Sequence, residues 1–409
     1  MLILLLISTQ LLSAQPKLDK MRQKAWKEWV KTYNAQDDLR LPTPAELSKK
    51  TSFYWDIPTE FEPNARMKFY SGTKGERPAE GYPLFLYLHG SGPSNEEWET
   101  GWQLAKDFKD APALYYVPRI PNEGEYYRWW QKGKLWIWER LLRHALVDGH
   151  TDPNRIYLFG ISEGGYGSQR LASYYADYLA AAGPMAGGEP LINAPVENLA
   201  ALPFSLLTGE KDMMFYRNYL TQFTGDKLDS LATRYPGQYT HRVALQEGRG
   251  HGIDYSQTTP WMISFKRNAT PDSFRWENYE IDGVKRNSFY NIEVLEEESG
   301  EQRTFYDYQI KDNRVVLSVS QVKYTPTLVE PNWGIALIHD RSTTPATHGK
   351  LRLYFNEHTI DASRPVEVVL NGKTVFQGIL KAEKGNMQQA LRVWGDPSRI
   401  FPYATLIDF

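Results

Sequence analysis

Apolar runs and amphipathic stretches alternate along the first two-thirds of the chain. Lys17 to Asn34 carries alternating charges with Met21, Trp26, Trp29 and Val30 on one helical stripe, which predicts an amphipathic helix lying on the body of the protein. Thr51 to Tyr70 mixes strand-favouring residues with Pro58 and Pro63, and Arg77 to Tyr82 reads as a turn before a strong strand, Pro83 to Leu88. Further strands are expected at Ala113 to Pro118, at 156 to 161, Ala180 to Ala186, Pro203 to Thr208 and Thr240 to Gln246. Helical patterns lie between them, among them Trp136 to Asp148 and Gln169 to Leu179. This βα alternation predicts a mostly parallel twisted sheet with helices on both faces, whose ligands bind at the carboxyl ends of the strands.

From about Asp272 the texture changes to short alternating segments. Phe289 to Leu295, Val315 to Val322, Leu351 to Phe355, Val366 to Leu370 and Lys373 to Leu380 predict a smaller β-rich C-terminal domain with few helices. Asn371-Gly372 is a hairpin signal, because both residues tolerate the positive φ of a two-residue turn. The expected division is a leader at 1–14, an N-terminal helix and β extension at 15–79, a catalytic domain at 80–271 and the β-rich domain at 272–409.

With 409 residues, 41% apolar and 23% charged, the chain can bury one large core and a second, smaller one. A net charge of −2 without a long basic run removes the electrostatic footprint of a nucleic-acid binder. The absence of cysteine excludes disulfides, thiol catalysis and cysteine-ligated metal. Met1 to Ala14 is almost wholly apolar and ends in Leu12-Ser13-Ala14 before a charged stretch. It reads as a secretory signal cleaved after Ala14, giving a secreted or periplasmic product with no stable membrane insertion; a short membrane anchor is the competing reading.

The segment Gly160-Ile161-Ser162-Glu163-Gly164-Gly165 joins an apolar strand to a helical pattern and so sets one serine on a sharp turn. Gly160 and Gly164 supply the room such a turn needs, and the helix N-terminus behind it favours a developing anion. Ser162 is thus a candidate nucleophile. A hydroxyl needs a base to take its proton, and the base needs a carboxylate to orient it. Asp212, in the Gly209-Glu210-Lys211-Asp212 turn, is the first choice for the acid, with Glu210 and Asp254 as rivals. Of eight histidines, His251 in the glycine-rich loop Gly248 to Gly252 has the order and setting of the base, whereas His89 reads as a structural hydrogen-bonding residue. Oxyanion donors are expected from the Glu163 amide and from the His89-Gly90-Ser91-Gly92 loop, Ser91 before Gly90.

Together the strand ending in His89-Gly90, the elbow, the 209–212 turn and the 250–252 loop resemble the α/β-hydrolase superfamily over roughly residues 80 to 268. The sequence is most similar to secreted bacterial esterases related to polyhydroxybutyrate depolymerases, feruloyl esterases and dienelactone-type hydrolases, and more loosely to the prolyl oligopeptidase catalytic domain. The resemblance implies the α/β-hydrolase fold and a Ser-His-Asp mechanism through an acyl-enzyme, without cofactor or metal, on carboxylic esters. The elbow departs from many relatives in carrying Glu163. The dense aromatic stretch from 118 to 138 is expected to face the active edge, with Arg119, Glu125, Arg128, Trp129 and Trp130 as candidate substrate contacts for a small-molecule or polysaccharide ester. Two other readings are a serine peptidase of prolyl oligopeptidase type, for which a preceding propeller has too little chain, and a non-catalytic carbohydrate-binding protein on a hydrolase scaffold. The β-rich domain is expected to cap the hydrolase, with carbohydrate binding as the sharper alternative.

Overall fold

Strand β3 (Tyr82–Leu88) shows how the central sheet is seated. Leu84, Leu86 and Leu88 enter the core on one face of the sheet, and Phe85 and Tyr87 enter the core on the other. A parallel strand is covered by helices on both sides, so its sequence runs apolar throughout instead of alternating.

The computed structural model describes residues 2–37, 39–298 and 302–409, with side chains from Pro16 onward. Among these, β1 (Thr51–Asp56), β2 (Arg66–Lys74), β3, β4 (Ala113–Arg119), β5 (Thr151–Ile161), β6 (Ala181–Met185), β7 (Phe204–Gly209) and β8 (His241–Gln246) form one sheet in the order β1-β2-β4-β3-β5-β6-β7-β8. Strands β4, β3, β5, β6, β7 and β8 run parallel. The segment expected as an N-terminal extension instead supplies the sheet's first two strands, antiparallel to each other and, through pairs such as Tyr70 with Val117, to β4. Helices α1 (Leu2–Gln36), α2 (Ser94–Asp107), α3 (Lys132–Val147), α4 (Glu163–Tyr174), α5 (Arg217–Arg234) and α6 (Thr258–Met262) complete this part. Leu18 and Ala25 of α1 are buried, and Met21, Trp26 and Trp29 pack on the core. The side chains of the leader lie outside the described residues, and among the described residues no helix is long and apolar enough to cross a membrane.

Beyond Asp272 two further sheets form. One has the order β10-β11-β15-β18 from Ser288–Phe289, Ile292–Glu297, Gly349–Phe355 and Tyr403–Asp408. The other has the order β17-β16-β13-β12-β9 from Lys373–Gly378, Val366–Leu370, Arg314–Val329, Arg303–Lys311 and Ser273–Asn278, with β14 (Ala336–Pro345) paired to β13. Asn371 and Gly372 turn between β16 and β17 at φ 46° and 81°. The region is not wholly β: α7 (Lys384–Trp394) buries Met387, Ala390, Leu391 and Trp394 and packs against α1.

The expected second core is not separate. Phe274, Trp276, Tyr308 and Leu353 belong to the same buried cluster as Leu86, Leu158 and Leu171. A buried ionic knot ties the same seam. Arg399 donates to Asp177 (2.6 Å) and Asp396 (2.7 Å), Arg267 donates to Asp396 (2.8 Å), and Arg286 donates to Asp177 (3.1 Å). Asp177 lies just past the end of α4, so the knot clamps the β-rich region onto the helix that follows Ser162.

Candidate active site

Ser162 links β5 to α4 with φ 58° and ψ −114°, a strained conformation for a residue with a side chain. The chain passes so closely here that a Cβ on Gly160 would lie 2.3 Å from the Gly164 carbonyl oxygen, and one on Gly164 would lie 2.0 Å from that of Leu88. Only glycine fits at either place. Ser162 N–H donates to the Met185 carbonyl (3.0 Å), which fixes the turn against β6. Glu163 begins α4, so its own N–H has no intrahelical acceptor and lies at the positive end of the helix.

The structure brings His251 and Asp212 to this serine. His251 Nε2 is 2.9 Å from Ser162 Oγ, and His251 Nδ1 is 2.7 Å from Asp212 Oδ2. The second contact sets the tautomer, with hydrogen on Nδ1 and the lone pair of Nε2 facing the hydroxyl. Asp212 follows β7 and His251 follows β8. These loops touch at Gly209, where a Cβ would meet the Gly250 carbonyl oxygen at 1.9 Å. Burial opposes ionisation of Asp212, but hydrogen bonds from Arg217 (2.6 and 2.9 Å) and His251 outweigh it and hold the carboxyl below its ordinary value. The rival acids are occupied elsewhere: Glu210 accepts from the Gly248 amide, and Asp254 caps Ser256.

On the opposite side stands the 89–92 loop. His89 is fully buried; its Nδ1–H donates to the Gly90 carbonyl (2.7 Å) and its Nε2 accepts from the Ile120 amide (3.2 Å). Burial pushes its pKa down to about 4, so it is a neutral structural group. Gly90 packs against Ser162, a Cβ there lying 3.4 Å from that of Ser162. The Glu97 carboxylate lies beside Gly90, 3.1 Å from where a Cβ on that residue would stand, and burial raises its pKa. Ser91 is exposed on the same loop, and neither its amide nor that of Gly90 donates to a group among the described residues.

A cavity of about 510 Å³ opens beside the elbow, lined among others by Arg128, Trp130, Glu163, Tyr166, Phe215 and Ile335. A second trough of about 260 Å³ shares Arg128, Trp130 and Arg170 with it and reaches Asp282 and Arg303 of the β-rich region. Arg128 and Trp130 thus stand where the aromatic stretch was expected to meet substrate. Trp129 does not. It is fully buried, donates from Nε1 to the His89 carbonyl (3.0 Å) and packs against Gly167, so its ring anchors the 89–92 loop to α4. Arg119 and Glu125 also lie off the cavity: Arg119 donates to Asn95 (2.7 Å), and Glu125 is exposed on a single 3₁₀ turn.

Three contributors escaped the sequence reading. Arg217 grips the acid five residues after it, a spacing that carries no recognisable pattern. Phe215 reaches the cavity from a left-handed backbone (φ 53°), followed by Tyr216 at φ 61°. The tip of the β13–β14 hairpin, at Gly334, Ile335 and Ala336, walls the cavity's far side, with the Trp333 ring edge-on to Phe215 at 5.0 Å. The Glu330 carboxylate accepts from the Asn332 and Trp333 amides (3.0 and 2.8 Å) and stiffens that tip.

A mostly parallel sheet with serine, acid and histidine in that chain order, after β5, β7 and β8, is the α/β-hydrolase fold. No family model matches the chain. Over 147 residues, 32% of the chain, it is 33% identical to NocK of Nocardia uniformis subsp. tsuyamanensis, a protein provisionally named an esterase. The match spans 41% of that relative's length. Similar solved structures include a thermostable esterase (21% identity, TM-score 0.42, 54% of this chain and 64% of that one) and the BES protein of Bacillus cereus (15%, 0.39, 56% and 97%).

Proposed function

We propose that the chain is a serine hydrolase of carboxylic esters. The observation that carries this is the relay of contacts from Ser162 Oγ to His251 Nε2 (2.9 Å) and from His251 Nδ1 to Asp212 (2.7 Å). Ser162 attacks the ester carbonyl while His251 takes the hydroxyl proton. Asp212, kept ionised by Arg217, stabilises the imidazolium that results. The amides of Glu163 and Ser91 receive the oxyanion. Collapse expels the alcohol, which leaves with the proton from His251, and an acyl-serine remains. Water, deprotonated by the same imidazole, then releases the acid and restores the hydroxyl.

The finer reading is an enzyme exported by its apolar leader that removes acyl groups or ester links from polysaccharide. The cavity beside the elbow, with the adjoining trough that reaches the β-rich region, supports it by offering length beyond a simple ester. The test compares 4-nitrophenyl acetate, methyl ferulate, acetylated polysaccharide and aminoacyl nitroanilides as substrates, with Ser162→Ala as control. Ester turnover that Ser162→Ala abolishes is expected; turnover that persists in the variant overturns the mechanism. Immunoblots of the fractionated host test export, which a full-length cytoplasmic product would refute.

A further inference from the structure

We propose that Glu163 and Arg128 form a hydroxyl-binding subsite beside the nucleophile, seating a hydroxyl of the ester substrate between carboxylate and guanidinium. This rests on the esterase reading and adds the chemistry of the group recognised.

Glu163 directly follows Ser162, lines the cavity and is only 9% exposed, yet its Oε1 has no hydrogen-bond partner among the described residues. The nearest cation is Arg128, whose Nη1 stands 3.6 Å from that oxygen, beyond hydrogen-bond reach. The half-exposed Arg128 side chain donates from Nη1 to the Tyr127 carbonyl (2.7 Å), and its Nε and Nη2 donate to no protein group among the described residues. Burial raises the Glu163 carboxyl to about 7, with Arg128 opposing the shift. The other charges in the cavity are mutually paired: Arg170 donates twice to Glu189 (2.6 and 3.0 Å), and Asn193 adds a third bond to Glu189 (2.9 Å). Arg170 also covers the Trp130 ring at 4.1 Å.

What fits between an unpartnered acceptor and an underused donor is decided by exclusion. A carboxylate on the ligand would meet the ionised form of Glu163 with like charge, and an ammonium would meet Arg128. An apolar group would leave the buried Oε1 dry and unpaired. A hydroxyl donates to the carboxylate and accepts from the guanidinium, and an oxygen about 2.8 Å from both closes a triangle on the 3.6 Å base. That hydroxyl can belong to the acyl part or to the alcohol part.

Two substrate pairs differing by one hydroxyl separate these sources: 4-nitrophenyl 3-hydroxybutyrate against the butyrate, and cyclohexane-1,2-diol monoacetate against cyclohexyl acetate. Wild type is expected to prefer the hydroxylated member of at least one pair by about tenfold or more in kcat/KM, because a site built to hydrogen-bond a hydroxyl rejects the analogue lacking it. In Arg128→Met and in Glu163→Gln the preference falls below about threefold, with Arg128→Lys restoring part of it. No preference in either pair, or one that survives both substitutions in folded protein, overturns the proposal. If Ser162→Ala still hydrolyses nitrophenyl butyrate, the esterase reading falls by itself. Calorimetry of cyclohexane-1,2-diol against cyclohexanol on Ser162→Ala protein then decides the subsite, equal binding refuting it.

Discussion

Asp396 neutralises two arginines where water does not reach, so Asp396→Asn isolates what the seam contributes. In the native protein Arg267 and Arg399 both donate to its carboxylate, and Arg399 and Arg286 also serve Asp177. The amide leaves three buried guanidinium groups facing one remaining carboxylate. Removing one partner of a buried pair costs about 3 to 5 kcal/mol, mostly as unpaired charge. An unfolding entropy of about 2 cal/mol/K per residue over 409 residues converts that to a fall in Tm of about 3 to 6 °C. The acid limb gives a second readout. Burial alone would raise the Asp396 carboxyl, but Arg267 and Arg399 lower it from 3.8 to about 2. Its folded pKa is depressed, so its stabilisation is full above about pH 4 and disappears as pH falls towards 2; at about 1.4 kcal/mol per pKa unit it is worth about 2 kcal/mol. Differential scanning calorimetry between pH 2 and 7 should show wild type losing stability more steeply than Asp396→Asn below pH 4. A variant that melts within 1 °C of wild type at pH 7, or follows the same acid slope, would refute the view of the knot as the clamp on α4.

Asp212→Asn should reverse the favoured tautomer of His251 and lower kcat by about 10⁴-fold with little change in KM, as steady-state kinetics on a nitrophenyl ester will show. Gly164→Ala drives a methyl group into the Leu88 carbonyl and should cost about 3 kcal/mol or more, whereas Gly385→Ala, in open space on α7, should gain a few tenths; denaturant melts compare the two. Trp129→Ala should lower stability by about 3 to 5 kcal/mol in the same melts, and unchanged stability would return Trp129 to the list of substrate contacts.

What the sequence made legible was whatever depends on local backbone geometry. Gly160, Gly164 and Gly209 mark places where the chain touches itself, and the order of Ser162, Asp212 and His251 follows from strands read by their apolar runs. Trp129 and Trp130 stand side by side with the same composition signal, yet one is core and the other lines the cavity, because burial is decided by α4 from elsewhere in the chain. The outer half of β13 and all of β14 escaped notice because much of their length is exposed, so no apolar alternation marks them, and Pro326 reads as a strand breaker. Arg217 was hidden for a different reason: its approach to Asp212 depends on two consecutive left-handed residues that no propensity anticipates.

The hairpin tip that faces the elbow carries a consequence for how this scaffold can diversify. The residues from Glu330 to Ile335 hang from a strand pair rooted in the terminal third of the chain, while nucleophile, base and acid sit on loops of another sheet. Lengthening or trimming that tip remodels which molecules are admitted without disturbing the reacting atoms. Selectivity and reactivity can therefore drift independently, one by indels at a single exposed bend, the other constrained by glycines that tolerate no replacement.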